Sequence, residues 1–365
     1  MERRAQLPTD AGADVLRARR GLVEETPDGP GRYTALRGPV IDYLREVTVE
    51  PADGDTSVVV QRVRYRLAVP VVGWLVRLPA RHELGRIGGG DRPPWWGPPD
   101  VLDAAAWRAL GALLGLATVL GYLGTLLTQT ITYSAREFRV GTGGEGVALA
   151  VVRGDIVVSL GLVVLADRKG RRAVALGAAA AGCVLSATGA LAPSLAWLTA
   201  SQIIARGFVT AATITSAVMV AEAMPKGARA WAVGVIAMAA AVGAGACVLA
   251  LPLTGLGVRA WRLLYAASAL WLVVVALARR RLVESDRFTR FRRSAGTAAA
   301  ATIGRSRLLL LAAANVLLMM FVTPASEFLN EYLRRERHFS PARITLFVLT
   351  TVTPGAVGII VGGRL

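Results

Sequence analysis

Charged side chains deep inside long apolar segments are the residues of this sequence best suited to chemistry inside a membrane. Arg206 lies about ten residues, or roughly 15 Å, into its segment, where a charge costs roughly 2.5–3.5 kcal/mol. Such a charge needs a partner, and Asp155 lies at a comparable depth, roughly 18 Å from the polar turn that begins at Asp167. We therefore predict an Arg206–Asp155 ion pair in which Asp155 is the protonatable group. The alternative is a fixed ion pair between Asp155 and the neighbouring Arg153.

Uncharged polar side chains recur at steps of three or four residues on two apolar segments, which places them on one face of each helix. Lipid offers no hydrogen bonds, so such a stripe must face protein or water. The stripes comprise Thr118, Tyr122, Thr125, Gln129, Thr132 and Arg136, with Tyr133 beside them, and Gln202, Arg206, Thr210 and Thr213. For the threonines, hydrogen bonds that merely hold helices together are an equal alternative. The predicted cavity-lining and coupling residues are Gln129, Tyr133, Arg153, Asp155, Gln202, Arg206 and Asn315.

Other kinds of chemistry find no support in the sequence. The only histidines are His82 and His338, so a histidine-based metal centre is not expected. The two cysteines, Cys183 and Cys247, lie within apolar segments and are predicted to be small packing residues. A phosphate-binding Walker loop is missing, and no catalytic set is visible. We therefore predict no cofactor, no metal and no enzymatic activity.

The segments that position these residues are typical of a multi-pass helical membrane protein. The chain has 365 residues, 54% of them hydrophobic, and a mean hydropathy of +0.49. Its apolar residues are concentrated after residue 104 in blocks near the roughly 20 residues that cross a bilayer. The predicted segments are 105–133, 145–166, 173–193, 196–222, 229–254, 262–279, 306–328 and 343–362. The fold class predicted is an all-α polytopic membrane protein with a small N-terminal α+β segment.

The distribution of arginine predicts the orientation of these segments. The net charge is +17, and many of the arginines lie before the first apolar segment and in alternate loops. This pattern follows the positive-inside rule and places the N-terminus and the basic loops in the cytoplasm, so nucleic-acid binding is not expected. The loop around Arg334, Arg335, Arg337 and Arg343 departs from the rule, since it is basic yet falls outside.

Residues 1–100 differ in composition and are predicted to form a cytoplasmic region. Residues 1–30 show no clear period and are predicted to be loosely ordered. Within 31–90, two alternating stretches flank an Asp53-Gly54 turn, which predicts a β-hairpin, and an amphipathic helix follows. The order strand, strand, helix weakly resembles the C-terminal half of a START-like lipid-binding domain, or it is a simple β-appendage. A Pro- and Trp-rich linker, 91–99, follows, and its paired tryptophans suit a membrane interface.

A basic turn between the second and third segments carries a family resemblance. The string Asp167-Arg168-Lys169-Gly170-Arg171-Arg172 resembles the Gly-x-x-x-Asp-Arg-x-Gly-Arg-Arg signature of the major facilitator superfamily, with Val163 in place of the first glycine. Two further strings resemble that family in the expected order. One is Glu222-Ala-Met-Pro225 and the other is Trp261-Arg-Leu-Leu-Tyr265.

The resemblance implies a secondary transporter with two six-helix halves that alternate access to a central cavity. The signature residues Asp167, Arg168, Gly170, Arg171 and Arg172 would belong to a cytoplasmic charge network that stabilises one conformation. The predicted division is 1–100, a six-helix half at 101–279, a basic cytoplasmic loop at 280–305, and 306–365 as the first two helices of a second half. We expect this second half to be truncated, because Gly363-Arg364-Leu365 resembles the start of a second copy of the signature.

The function predicted is proton-coupled transport of a small molecule across the cell (cytoplasmic) membrane, with efflux as one option for the direction. The expected partners are a small-molecule substrate, H⁺ and the lipid bilayer, and a monomer is expected. The alternative is a membrane protein that does not transport and whose N-terminal module senses a lipid-like ligand. An apolar cavity inside residues 31–90 would favour this alternative.

Overall fold

The computed structural model describes residues 1–8, 11, 14–52, 56–88, 92–282 and 305–362. Six helices in these ranges are long and apolar enough to cross a membrane, which is typical of a multi-pass membrane protein. They are α2 (Ala104–Glu137), α3 (Thr142–Lys169), α4 (Arg171–Leu191), α5 (Leu195–Ala223), α6 (Lys226–Leu256) and α7 (Arg262–Arg279). The six corresponding predicted segments are confirmed, and their bounds differ from the helices by a few residues.

Three more helices lie towards the C-terminus within the described range 305–362. The seventh and eighth predicted segments correspond to α8 (Arg305–Glu327) and α10 (Pro341–Gly362), and a short helix, α9 (Leu329–Arg335), lies between them. The sequence did not predict α9 as a separate element. Most of the basic loop at 280–305 and the string Gly363-Arg364-Leu365 lie outside the described residues.

Helix α2 is the central helix of the bundle. Of its most apolar stretch, 78% is buried against protein, compared with 28% for α3. Close approach of α6 makes this burial possible: a Cβ added at Gly121 would lie 1.9 Å from the Ala240 carbonyl oxygen, and one at Gly243 would lie 1.8 Å from that of Thr118. The two glycines therefore let the backbones of α2 and α6 touch, as small residues do in membrane helix pairs.

Replacing Gly243 by alanine should separate α2 from α6 and destabilise the bundle, because the new methyl group meets backbone that has no rotamer to change. Overpacking of this kind costs roughly 1–3 kcal/mol or more. Gly245 is the matched control, since a Cβ there would meet nothing within 4 Å. We expect a lower unfolding temperature in detergent for Gly243→Ala and no loss for Gly245→Ala. Equal unfolding temperatures for the two variants would contradict this packing.

The N-terminal region forms a five-stranded antiparallel sheet within the described part of the chain, in the order β1-β5-β4-β3-β2. The strands are β1 (Glu2–Pro8), β2 (Glu24–Pro27), β3 (Arg32–Arg37), β4 (Val40–Pro51) and β5 (Thr56–Leu67), followed by helix α1 (Gly73–Gly85). The predicted hairpin and helix are present as β4, β5 and α1, although the turn at 53–55 lies outside the described residues.

The prediction that residues 1–30 are loosely ordered is wrong for the two strands that the structure describes there, β1 and β2. Strand β1 pairs with β5 along its whole length, from Glu2 opposite Arg62 to Pro8 opposite Thr56, and β2 pairs with β3. Only part of β1 alternates between half-buried and exposed side chains, because it lies at an edge of the sheet. Its order comes from pairing with β5, about fifty residues away in the sequence. The strand therefore could not be predicted from a local alternation of apolar and polar residues.

A buried charge network lies among the apolar residues on the inner face of this sheet. The side chains of Arg45 and Glu25 are both fully buried, and they form an ion pair with an N–O distance of 2.7 Å. Tyr43 donates to the Glu25 carboxylate, and Arg19 donates to the Gln61 side-chain oxygen at 2.7 Å. Burial raises the pKa of the Tyr43 phenol, and the adjacent Glu25 carboxylate adds to the shift, so the phenol remains a hydrogen-bond donor.

The sheet and the helical bundle share one hydrophobic cluster. Val63 of β5 and Leu84 of α1 belong to the same contiguous core as Leu102 and Trp107 at the start of α2. The segment between β5 and α1 also approaches α2 closely, since a Cβ at Gly111 would lie 2.7 Å from the Pro70 ring. The N-terminal region therefore packs directly on the end of the bundle at which α2 begins.

Candidate functional site

The predicted partner of Arg206 is beside it in the structure. The Arg206 Nε atom lies 3.9 Å from Oδ2 of Asp155, and both side chains are largely buried, with 14% and 8% of their surface exposed. Thr210, one turn further along α5, donates a hydrogen bond of 3.2 Å to the same oxygen. Arg206 also donates through Nη1 to the backbone carbonyl of Gly124 on α2, at 3.0 Å. Three helices, α2, α3 and α5, thus meet at one buried ion pair.

Local backbone features bring α3 and α5 together at this point. The regular α-helix of α3 is interrupted by a 3₁₀ turn, Val152–Gly154, directly before Asp155. Short 3₁₀ stretches inside a longer helix often mark hinges or functional sites. Opposite this turn, a Cβ at Gly207 would lie 2.5 Å from that of Val158 and 3.1 Å from the Asp155 carbonyl oxygen. Glycine at 207 therefore permits the close helix contact that sets Asp155 beside Arg206.

The other residues predicted near this pair take different positions. Arg153 precedes Asp155 within the 3₁₀ turn, and its side chain is exposed on the surface of the bundle. Gln202 is buried, one turn before Arg206 on α5, and its Nε2 atom lies beside Gly189, which the Tyr265 ring also approaches. A Cβ at Gly189 would lie 3.2 Å from that nitrogen. Gln202 therefore borders α4 and α7 and lies one helical turn from the ion pair.

Gln129 and Tyr133 belong to a second cluster near the far end of α2. Asn330 of α9 donates to the Gln129 side-chain oxygen at 2.7 Å and to its backbone carbonyl at 3.1 Å. The Arg334 guanidinium lies 4.2 Å from the centre of the Tyr133 ring, a cation–π contact. Helix α9 therefore covers the end of α2 that carries these two residues. Asn315 lies on α8, and its side chain is outside the described residues.

Helix α9 is also tied to α3 by a buried acid. Glu145 is 1% exposed, and Arg335 donates to its Oε1 atom at 2.5 Å. Arg335 also lies 3.5 Å from Glu331 on its own helix. The basic loop that departs from the positive-inside rule thus contains an arginine with a specific acidic partner. The rule counts basic residues near span ends and does not detect such pairing.

The basic turn between α3 and α4 forms a charge network with α5 and α7. Gly170 has a φ of +112°, a region that glycine enters without strain, so the sharp turn requires this residue type. Arg171 forms an ion pair with Glu222 at the end of α5 and lies 3.5 Å from Asp167. Arg172 donates to the backbone carbonyl of Arg279 at the end of α7, at 3.1 Å. Arg168 is exposed.

The Arg171–Glu222 pair should contribute to stability because its side chains are only 20% and 17% exposed. We expect Arg171→Gln and Glu222→Gln each to lower the unfolding temperature in detergent. The loss of stability in the double variant should be smaller than the sum of the losses in the two single variants. The coupling energy should fall at about 1–3 kcal/mol, the upper part of the range for residues in contact. Arg168→Gln, at an exposed arginine of the same turn, is the control and should change the unfolding temperature little. If the losses of stability in the two single variants simply add in the double variant, the pairing is contradicted.

An acidic residue that the sequence did not single out organises the opposite end of the bundle. Glu137, the last residue of α2, accepts from Trp261 Nε1 at 2.7 Å and from Arg262 Nη2 at 2.8 Å. Arg262 also donates to the carbonyls of Ala190 and Ala192 at the end of α4. The string Trp261-Arg262 carries a family resemblance, but its partner lies more than 120 residues away, so no local signal could connect them.

Among the described residues, no group of three or more His, Cys, Asp or Glu side chains is placed to hold a metal ion. Comparison with known proteins gave no assignment. No protein-family model matches the chain, and no curated protein matches it.

Proposed function

We propose that the chain is a secondary transporter related to the major facilitator superfamily, which moves a small molecule across the cell membrane in exchange with, or together with, protons. The observation that carries this proposal is the Asp155–Arg206 ion pair between three helices. An ionisable pair at that depth is expensive to maintain, and such residues in membrane spans typically serve an ion or substrate path. A purely structural bundle would gain more from apolar packing.

The two members of the pair differ in their other contacts. Asp155 receives a hydrogen bond from Thr210 and a long contact from Arg206, whereas Arg206 is also held by the Gly124 carbonyl. Protonation of Asp155 would cancel its attraction for Arg206, and the arginine would keep its bond to α2. The contact between α3 and α5 would then weaken while that between α5 and α2 persists. Movement of one helix against the others is what alternating access requires.

The proposed orientation places the N-terminal sheet and the basic turns in the cytoplasm. Contacts at one end of the bundle support it, because the 167–172 turn lies beside the end of α7, and Asp100, directly after the linker, lies beside Gly227. These loops hold most of the basic clusters that follow the positive-inside rule. Labelling of Arg168→Cys from the outside of intact cells would overturn this orientation. Labelling only after permeabilisation would support it.

The alternative of a lipid-sensing, non-transporting protein is favoured less. An internal apolar cavity would support it, but the inner face of the sheet carries the Glu25–Arg45 ion pair, and Val15, Tyr33, Val47 and Val59 form a packed cluster beside it. The deciding experiment is uptake by the purified chain in proteoliposomes, against a panel of small molecules, with and without an imposed pH gradient. Accumulation of a compound that depends on the gradient supports the proposal. Failure of every compound to respond, with the protein folded and inserted, argues against it.

A further inference from the structure

Helix α1 exposes an unusual face for a cytoplasmic helix. Trp74 and Leu78 are 71% and 74% exposed, and they lie one turn apart. Arg77, Arg81 and His82 continue the same face at steps of three and four residues, and all three are exposed. The opposite face, with Ala80 and Leu84, is buried in the shared hydrophobic cluster. The exposed face therefore combines a tryptophan, a leucine and basic residues, the composition of helices that lie in a membrane interface.

The position of α1 along the bundle places this face at the membrane boundary. The residues just before α1 pack on α2, since a Cβ at Gly111 would lie 2.7 Å from the Pro70 ring and one at Gly115 would lie 2.6 Å from Val71. Arg108, one turn before Gly111, is exposed and marks where α2 leaves the hydrocarbon. The chain then enters α1 at Gly73, two residues after Val71. Gly111 and Gly115 lie one and two turns further into the span than Arg108, so helix α1 begins within roughly 10 Å of this boundary.

The backbone at Val71 indicates that this placement is enforced by packing. Val71 has a φ of +63°, a conformation that β-branched residues rarely adopt. A strained residue persists only where its surroundings determine its conformation, and here the side chain lies against Gly115 of α2. The turn that leads from β5 into α1 is therefore fixed to a membrane-spanning helix, and the exposed face of α1 cannot turn away from the bilayer without breaking that contact.

A cleft beside α1 completes the surface. It has a volume of about 460 Å³ and opens between the end of β5 and the first turns of α1. Its lining combines aromatic and aliphatic side chains with one guanidinium: Tyr65, Leu67, Val69, Gly73, Trp74 and Arg77. Such a lining offers an apolar wall for the start of an acyl chain and a cation for a phosphate, which arginine recognises with paired hydrogen bonds.

We infer that α1 and this cleft bind an anionic phospholipid of the cytoplasmic leaflet, with Trp74 and Leu78 inserted among the acyl chains and Arg77 and Arg81 on the headgroup phosphates. The inference rests on the helices α2–α7 crossing a membrane and on the N-terminal region facing its cytoplasmic side. It does not rest on transport, and a chain that moves no substrate could still bind lipid here. Trp95 of the linker, 65% exposed, provides a second aromatic anchor near the same boundary.

The test is hydrogen exchange at the backbone amides of 73–85, in the full chain inserted into lipid nanodiscs. Discs of phosphatidylcholine alone are compared with discs containing phosphatidylglycerol, and detergent-solubilised protein is measured with and without inorganic phosphate. We expect slower exchange in the phosphatidylglycerol discs only. Each arginine near an anionic surface contributes about 1 kcal/mol, or roughly fivefold, so Arg77→Gln/Arg81→Gln should remove most of the difference. The matched control is Arg4→Gln/Arg64→Gln, at exposed arginines of the sheet, and should retain it.

Two results of the exchange experiment would overturn the inferred lipid site. If exchange in 73–85 is the same in both kinds of disc, the inferred preference for anionic lipid is wrong. Protection by inorganic phosphate in detergent would indicate a site for a soluble anion and would also overturn the inference. A second measurement uses Trp74→Ala/Leu78→Ala against Leu36→Ala, an exposed leucine of β3. Only the double variant Trp74→Ala/Leu78→Ala should weaken retention of phosphatidylglycerol by the purified protein in native mass spectrometry. Gradient-driven uptake tests the proposed function separately.

Discussion

Asp155→Asn should abolish accumulation of substrate against a gradient while leaving exchange of substrate across the membrane. A difference of one pH unit stores about 1.4 kcal/mol per proton, enough for about tenfold accumulation by a one-proton transporter. Asparagine is close to isosteric with the acid and can still accept from Thr210 and Arg206, but it carries no proton that exchanges with water. We therefore expect the accumulation ratio in proteoliposomes to fall from about ten to about one.

Controls must separate loss of proton coupling from loss of the folded state. Asp155→Asn leaves Arg206 without its counter-charge, and Arg206→Gln does the converse, so each single variant should lower the unfolding temperature in detergent. The double variant Asp155→Asn/Arg206→Gln should have a higher unfolding temperature than either single variant. It should still accumulate no substrate. Thr215→Val is a matched substitution on α5, because the Thr215 hydroxyl bonds only to the Ala211 carbonyl of its own helix among the described contacts. It should preserve accumulation. Gradient-driven accumulation by Asp155→Asn at the wild-type ratio would show that coupling lies elsewhere.

Glu25→Gln should have the largest effect on the N-terminal sheet. It removes the only acidic partner that the described contacts give to Arg45, whose side chain is fully buried. Removing one member of a buried pair leaves an uncompensated charge and costs roughly 3–5 kcal/mol. The hydrogen bonds from Arg45 to the Val15 and Arg17 carbonyls remain, so the arginine stays in place without its counter-charge.

Hydrogen exchange of the β4 and β5 amides in the full chain measures this loss. A cost of that size corresponds to exchange roughly 100- to 4,000-fold faster, if the sheet opens as a unit. Glu46→Gln is the control, because Glu46 also pairs with an arginine of a neighbouring strand but at the surface, where Arg32 is 57% exposed. Exchange in that variant should change little, since exposed ion pairs are screened by water. Equal effects of the two substitutions would mean that the buried pair is not what holds the sheet together.

The sequence predicted the elements that depend on local patterns. Hydropathy in windows of about 20 residues located the spans, and alternation located β4 and β5, because both are properties of neighbouring residues. The same reasoning failed for β1, whose partner strand lies far away in the sequence. It also treated Arg45 as an ordinary member of an alternating strand, because an isolated strand does not reveal that the inner face buries a charge.

The candidate site was predicted in part for the same reason. The depth of a residue along a helix follows from counting residues. This count alone predicts that Arg206 and Asp155 lie at similar depths in the membrane. Counting gives no information about how far each helix is rotated about its own axis. The contact of Arg206 with the Gly124 carbonyl and the pairing of Gln129 with Asn330 depend on that rotation. Counting residues likewise could not predict that α9 lies over the end of α2.

The sequence by itself thus predicted helices long and apolar enough to cross a membrane, with polar faces at known depths and a basic turn between two of them. Hydropathy and helical period are local properties, so both could be inferred without knowing the neighbours in space. The tertiary structure decided which of those polar groups meet. Contacts such as that of Gly207 with Val158 set the distance between helices, and only that distance places Asp155 within 3.9 Å of Arg206.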